Sequence, residues 1–167
     1  MFTRGCTIGL IIVYTLFSWT ILPSAAGPLP QIAVEDLQKG VEIQNLNLAV
    51  GEEKVLQLRA DVPGGKTLKA YSLEIAVEGG LVRFIEAAKV PGAAFPPLNI
   101  IAQPSRITAN AFDVRGVDGP AILSFIDFRI VGRATGEASI KIRFMDYGAS
   151  NDDKFNPKPL ALKVNVR

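Results

Sequence analysis

Carboxylates are the side chains best suited to acid–base chemistry in this sequence, since its 167 residues include no histidine and a single cysteine, Cys6. Two carboxylates held at a fixed separation can hydrolyse a glycosidic bond. The aspartates available are scattered among predicted loops and exposed strand faces, as on a solvated surface: Asp113, Asp118, Asp127, Asp146, Asp152 and Asp153. Once the N-terminal segment that carries Cys6 is removed as an export signal, the chain has neither His nor Cys and so lacks the commonest general base, the thiol nucleophile and the preferred zinc ligands. The sequence therefore predicts no catalytic residues, no metal centre and no cofactor.

One segment concentrates oxygen-bearing side chains. Residues 146–153 are Asp-Tyr-Gly-Ala-Ser-Asn-Asp-Asp, and carboxylate and carbonyl oxygens are the ligands that Ca²⁺ prefers. The segment lacks the ligand spacing and central glycine of an EF-hand loop. A polar turn whose Asn and Asp residues supply the backbone conformations is the favoured interpretation, with calcium binding as the alternative.

The N-terminal residues follow the order of an export signal. Arg4 precedes an uncharged run over residues 7–22, and small residues at 24–26 precede Gly27. This order predicts a secretory signal peptide over residues 1–26 that signal peptidase removes. A retained membrane anchor is the alternative, because the uncharged run approaches the roughly 20 residues that span a bilayer.

Cleavage after Ala26 leaves a mature chain without Cys, His or Trp, since Cys6 and Trp19 lie in the signal. The mature chain loses one of the 18 basic residues and none of the 16 acidic ones, and its charges are dispersed. No basic stripe for nucleic acid or an anionic membrane is present. We expect a secreted, periplasmic or cell-surface protein with no nucleic-acid partner and no stable membrane insertion after cleavage.

Two alternating runs around Gly132 and Gly136 predict a central β-hairpin, because side chains on a strand alternate between two faces. In the first run, the face predicted to be buried carries Ile122, Ile126, Phe128 and Ile130, and Leu123 and Phe125 fall on the opposite face. This mismatch predicts either a covered outer face or a β-bulge. Six apolar side chains are predicted to share one core: Ile75, Phe112, Ile126, Phe128, Ile140 and Phe144.

Short alternating runs, each ended by Gly, Pro, Asn or Asp, predict nine strands. Their ranges are 42–50, 53–61, 68–78, 81–87, 98–103, 106–113, 121–131, 137–146 and 160–166. Nine short strands in one domain imply two packed sheets. The predicted organisation is an N-terminal leader or spacer over residues 27–43, with at most one helical turn, followed by an all-β sandwich over residues 44–167.

Several segments resemble cohesin modules. Leu48-Ala-Val-Gly-Glu52 and the strand Leu68–Val77 resemble the opening of that family, and Arg106–Phe112, Leu123–Gly132 and Gly136–Ile142 resemble its later strands in the same order. The resemblance covers residues 44–166. Its shared positions are hydrophobic residues and glycines, so it indicates a fold more than an activity. It implies a nine-stranded β-sandwich with jelly-roll topology.

The resemblance also implies a non-catalytic binding module, because cohesins bind dockerin modules through one sheet and related sandwiches bind carbohydrate. The expected partner is a dockerin-like or other exported protein, with polysaccharide as the alternative and a structural role in an envelope or extracellular assembly as a third possibility. The outward residues on the strands that correspond to the cohesin contact strands are Ser72, Glu74, Asn110, Lys141 and Arg143. A polar solvated face is the alternative interpretation of these five.

The aromatic residues favour the protein partner. A carbohydrate-binding face usually presents exposed planar aromatics, and the mature chain has no Trp. Tyr71 lies on an apolar strand face and is predicted to be core. Phe95, in the proline-rich loop 88–97, is the aromatic residue expected to make a loop contact, with a plug over the sandwich edge as the alternative.

Overall fold

The computed structural model describes residues 29–150 and 152–167, so the predicted signal peptide lies outside the described residues. Within the described part of the chain, every regular element is a β-strand. The strands are β1 (Ile32–Asp36), β2 (Val41–Glu42), β3 (Asn45–Leu48), β4 (Glu53–Val62), β5 (Thr67–Glu78), β6 (Val82–Lys89), β7 (Asn99–Gln103), β8 (Arg106–Asp118), β9 (Ala121–Gly132), β10 (Gly136–Ser150), β11 (Asp153–Lys154) and β12 (Leu160–Val166).

The strands form two sheets that pack face to face. The first sheet has the order β2-β1-β4-β9-β6, and the second has the order β3-β12-β10-β5-β8-β7, with β11 attached to β10. All pairings between these strands are antiparallel except that of β12 with β3. The predicted all-β sandwich with jelly-roll topology is confirmed. The predicted strand 42–50 is divided into β2 and β3, which lie in different sheets.

Alternating burial along the strands builds one core between the sheets. In β10, Ile140, Ile142 and Phe144 are buried while Lys141 and Arg143 are exposed. Five of the six predicted core residues lie in the buried cluster: Ile75, Ile126, Phe128, Ile140 and Phe144. The prediction that β9 and β10 form a β-hairpin is wrong, because β9 lies between β4 and β6 in the first sheet and β10 lies between β12 and β5 in the second. The connector with Gly132 and Gly136 therefore passes from one sheet to the other, although alternation predicted the inner residues of both strands correctly over most of their length.

A β-bulge in β9 resolves the mismatch at the start of that strand. Leu58 of β4 pairs with Ile126 and its neighbour Arg59 pairs with Ser124, so Phe125 is an extra residue in the ladder. Phe125 and Ile126 are consequently both buried. The bulge reverses the alternation before it, and the prediction that Ile122 faces the core is therefore wrong: this side chain is 68% exposed.

The prediction that Phe112 is buried is also wrong. Its side chain is 60% exposed on the outer face of the second sheet. Ile107, Ala109 and Ala111 are the inward residues of β8, and Phe112 has the opposite parity, which it shares with Asn110. Alternation, rather than hydrophobicity, decides which face the ring occupies.

The segment assigned to a leader contains part of the first sheet. Strand β1 pairs with β4 along its whole length, and Val34 is fully buried. The chain then reverses at Gly40, which has a φ of 64°, and β2 pairs with β1. The Asp36 side chain accepts a hydrogen bond of 3.0 Å from the Gln38 N–H in this turn. The boundary predicted at residue 44 thus falls inside the sandwich, because β1 contributes apolar side chains to the core.

Candidate partner-binding face

The outer face of the second sheet brings together all five predicted contact residues. Cross-strand pairing arranges the outward side chains of β8, β5 and β10 in successive rows. The rows are Arg106–Ala76–Lys141, Thr108–Glu74–Arg143, Asn110–Ser72–Asp146 and Phe112–Ala70–Gly148. Lys141, Arg143 and Asn110 are exposed, whereas Ser72 and Glu74 are partly buried between the neighbouring strands. These four rows are called the contact face below.

Glu74 is the electrostatic centre of the contact face. Its carboxylate accepts from Arg143 Nη2 at 2.8 Å and from Arg143 Nε at 3.0 Å, and Arg106 Nε lies 3.4 Å from its other oxygen. The Glu74 side chain is only 12% exposed, while both arginine side chains are more than half exposed. The Glu74 carboxylate therefore orients the two guanidinium groups and leaves little free negative charge for a partner.

Lys141 is also paired, since its Nζ lies 2.7 Å from Glu78 Oε1. Both side chains of this pair are more than half exposed. An exposed pair of this kind is held weakly and can exchange partners at small cost. Among the five predicted residues, the lysine is thus the one whose charge is most readily redirected to a bound molecule.

Phe112 gives the contact face an apolar end. It stands beside Ala70 and Gly148 in the last row, next to a cavity of about 370 Å³ that these residues help to line. A Cβ at Gly148 would lie 2.2 Å from the Asp153 carbonyl oxygen, so close approach of β11 requires glycine there. The predicted site did not include Phe112 or Arg106. Both are an even number of residues from Asn110 along the same strand, so the outward direction predicted for Asn110 implies that they face outward too.

Two buried tyrosines lie beneath this end of the face. Tyr71 and Tyr147 both border the Phe112 cavity and are at most 2% exposed. The Tyr147 hydroxyl donates to the Asp61 carbonyl oxygen at 3.1 Å, whereas the Tyr71 hydroxyl has no hydrogen-bond partner among the described residues. Burial raises the pKa of both phenols well above the ordinary value.

Phe95 does not belong to an exposed contact surface. Its side chain is 4% exposed, and its ring meets Tyr71 edge-on with a centroid separation of 5.4 Å. The ring fastens the proline-rich loop to the core, as the plug interpretation predicts, because an apolar ring gains most where it leaves water. The prediction that Phe95 makes a loop contact with a partner is therefore wrong.

Lysines neutralise two of the aspartates that suggested a calcium loop. Lys66 Nζ lies 2.6 Å from the Asp153 carboxylate, and Lys154 Nζ binds Asp146. Within residues 29–150 and 152–167, no group of three or more His, Cys, Asp or Glu side chains is placed to hold a metal ion. The segment is stabilised by these ion pairs and by the edge-on contact of Tyr147 with Phe155 at 5.2 Å.

Three further aspartates that could have formed a carboxylate pair are engaged separately. Asp127 accepts from the Gln57 amide at 2.9 Å on the outer face of the first sheet. Asp113 accepts from the Arg115 N–H at 2.8 Å, and Asp118 accepts from the Thr67 hydroxyl, both in the second sheet. These partners hold the carboxylates at different places rather than around one cleft.

No helix in the part of the chain that the structure describes is long and apolar enough to cross a membrane. No family model matches the sequence, and no curated protein matches it. Comparison with solved structures does find similar chains.

Solved cohesin modules share the fold. The sixth cohesin of scaffoldin B from Acetivibrio cellulolyticus, solved in complex with a dockerin, gives a TM-score of 0.59 at 10% identity and covers 84% of this chain and 100% of its own. The cohesin module of a family 33 glycoside hydrolase from Clostridium perfringens gives 0.55 at 8% identity, covering 83% and 97%. A non-cellulosomal cohesin from Archaeoglobus fulgidus gives 0.52 at 8% identity, covering 82% and 91%. The chain therefore has a cohesin-like fold.

Proposed function

We propose that this protein is a non-catalytic protein-binding module whose partner docks on the contact face of the second sheet. Some solved modules that share its fold form complexes with dockerins, which supports a protein partner of that kind. The cohesin-like fold alone is a weak warrant for function, because one fold carries many functions. The residues of this face supply the additional support.

The observation that carries the proposal is the exposure of Phe112. The Phe112 ring is 60% exposed beside a cavity, on a face whose other side chains are charged, small and polar, or alanine. Aromatic residues are frequent anchors of interfaces, and an exposed ring beside a cavity is placed to act as one. Burial of this ring by a partner side chain that enters the cavity supplies the affinity.

The paired charges in the two rows of the contact face farthest from Phe112 supply orientation. Glu74 pairs with both Arg106 and Arg143, and more than half of each arginine side chain is exposed to solvent. A partner carboxylate or carbonyl group can accept from them without displacing Glu74. Such rim contacts increase specificity and the rate of association more than the affinity.

The location of the protein follows from the N-terminal prediction. A secretory signal over residues 1–26 places the module outside the cytoplasm, where an exported dockerin-like protein or another extracytoplasmic protein is accessible. Intact-mass measurement of the exported protein tests this part of the proposal. A species that retains Met1 and partitions with membranes would contradict it.

An affinity-capture experiment tests the proposed face. The exported protein is immobilised and exposed to the secreted and envelope proteins of its source organism, with calcium and with a chelator. Phe112→Ser is compared with Ile122→Ser, since Ile122 is 68% exposed on the outer face of the other sheet. We expect one captured protein to be lost with Phe112→Ser and kept with Ile122→Ser.

Calcium dependence of that capture would indicate a dockerin-like partner, because dockerins resemble EF-hand proteins in their calcium binding. Capture that survives Phe112→Ser, or is lost with Ile122→Ser alone, would contradict the proposed face. The two variants remove similar exposed apolar groups, so a general loss of folding would affect both.

A further inference from the structure

A groove lined by both polar and apolar groups crosses four strands at the opposite end of the second sheet from Phe112. Outward side chains of β5, β10, β12 and β3 line it in two cross-strand rows, Glu78–Ser139–Lys163–Asn45 and Glu137–Asn165–Asn47. The groove has a volume of about 660 Å³. Since neighbouring strands lie about 4.8 Å apart, the longer row spans roughly 14 Å. This surface is called the carboxamide groove below.

Its three asparagines have unused hydrogen-bonding capacity. Within the described residues, the carboxamides of Asn45, Asn47 and Asn165 form no hydrogen bond to the protein. The outer face of the first sheet differs, because Gln57 there is held by both Asp127 and Ser124. Each free carboxamide presents two donors and an acceptor to a bound molecule.

The charges within the carboxamide groove balance. Glu78 is neutralised by Lys141 at 2.7 Å, and Glu137 and Lys163 carry opposite charges in adjacent rows. None of the large exposed apolar side chains of the described chain lines the groove. A charged polymer therefore finds no complementary surface here, whereas an uncharged ligand rich in hydroxyl groups finds hydrogen-bonding groups beside the small apolar side chains of Ala138 and Ala161.

We infer that the carboxamide groove binds a neutral oligosaccharide through hydrogen bonds from its asparagine side chains. Neighbouring hydroxyl groups of a sugar ring can each donate and accept, which matches the amide group of Asn47 or Asn165. No aromatic side chain lines the groove, so ring stacking is absent and the binding is weak. This site lies beside the contact face, to which the Glu78–Lys141 ion pair joins it, and it adds a ligand to a module proposed to bind protein.

Solution titrations test the inference. The exported protein, isotope-labelled for amide spectra, is titrated with cello-oligosaccharides, xylo-oligosaccharides and chito-oligosaccharides. We expect at least one of them to shift the amide signals of residues 45–47, 137–139 and 163–165 and to leave those of β8 unchanged. Loss of one hydrogen bond in Asn47→Ala or Asn165→Ala should weaken that binding by about fivefold.

Asn110→Ala is the matched control, because Asn110 is an exposed asparagine on the same sheet outside the groove. It should leave sugar binding unchanged. The inference is overturned if no sugar shifts the groove signals, if the shifts cluster around Phe112, or if Asn110→Ala weakens binding as much as the groove variants. Capture of a protein partner should persist in Asn47→Ala, so failure of this inference is distinct from failure of the proposed function.

Discussion

Glu74 and Arg143 face each other on neighbouring strands, with the arginine Nη2 2.8 Å and its Nε 3.0 Å from the same carboxylate oxygen. Arg106 approaches the second oxygen at 3.4 Å from the strand on the other side. One carboxylate therefore joins β10, β5 and β8 across the outer face. The residues that looked like free contacts in the sequence form a connected set, in which Glu74 positions the two arginines.

Replacing Glu74 by Gln should lower the free energy of unfolding by about 0.5 to 1 kcal/mol at low salt. The change leaves two guanidinium groups close together without their counter-charge. Because both arginines are largely exposed, the loss should shrink at high salt. Urea denaturation at two salt concentrations measures it.

Glu78→Gln is the control for that variant. Its pair with Lys141 is exposed on both sides, at 54% and 59%, so the stability change should be smaller. Equal losses from the two variants would mean that the Arg106 contact adds nothing and that Glu74 is an ordinary surface residue.

The alternation of apolar and polar residues predicted most of the inward-facing side chains of the sandwich. The prediction failed where a β-bulge interrupts the strand pairing, and where a residue was assumed to be buried because it is hydrophobic, against its position in the alternation. The inner residues of β10 were predicted correctly because β10 keeps its register from Ser139 to Phe144. Ile122 was misplaced because an extra residue at Phe125 cannot be located from a single strand's pattern. Phe112 was misplaced because an aromatic residue was assumed to be buried, although its position two residues after Asn110 indicated the outer face.

The candidate site could likewise be predicted only in part. The five predicted contact residues do share one face, since strand parity and strand order determine that. Their ion pairs could not be predicted, because Glu74, Arg106 and Arg143 lie far apart in sequence and meet only through the pairing of three strands. The carboxamide groove depends on the parallel pairing of β3 with β12, which a run of alternating residues does not reveal.

Phe128→Ala should destabilise the protein by about 3 to 5 kcal/mol, as expected for loss of a large core side chain. Phe128 is 1% exposed, and its ring packs edge-on against Phe84 at 5.9 Å. Phe112→Ala is the matched control and should cost less than about 1 kcal/mol, because that ring is largely exposed. Chemical denaturation compares them, and a similar cost for both would contradict the observed burial of β8 and β9.

Removal of the hydroxyl group should change the stability of the fold differently at the two buried tyrosines. Tyr147→Phe should cost about 1 kcal/mol, because the Asp61 carbonyl oxygen loses a hydrogen bond of 3.1 Å. Tyr71→Phe should leave the stability unchanged or raise it, because its buried hydroxyl has no partner among the described residues. Thermal unfolding of both variants measures the difference, and a larger loss at Tyr71 would reveal a hydrogen bond to an ordered water.

Alkaline pH should destabilise the fold through the same two residues. Burial raises the pKa of Tyr71 and Tyr147 in the folded protein, while the unfolded chain ionises its tyrosines near pH 10. The stability is therefore constant with respect to these groups below about pH 10 and falls above it, by about 1.4 kcal/mol per pH unit for each tyrosine. Urea denaturation across this range should show a shallower fall in Tyr71→Phe than in the parent protein, whereas an unchanged slope would mean that the phenol ionises freely in the folded state.

Affinity for the captured protein partner should depend on Phe112 far more than on Lys141. A ring that passes from 60% exposed to buried contributes as interface anchors do, so Phe112→Ala should weaken binding by about thirtyfold, equivalent to about 2 kcal/mol. Lys141 is held in an exposed pair with Glu78, and its truncation should weaken binding less than about fivefold. Calorimetric titration of the purified partner measures both, with Ile122→Ala as the control on the other sheet. If Lys141→Ala has the larger effect and added salt abolishes binding, the partner is held by charge rather than by the cavity beside Phe112.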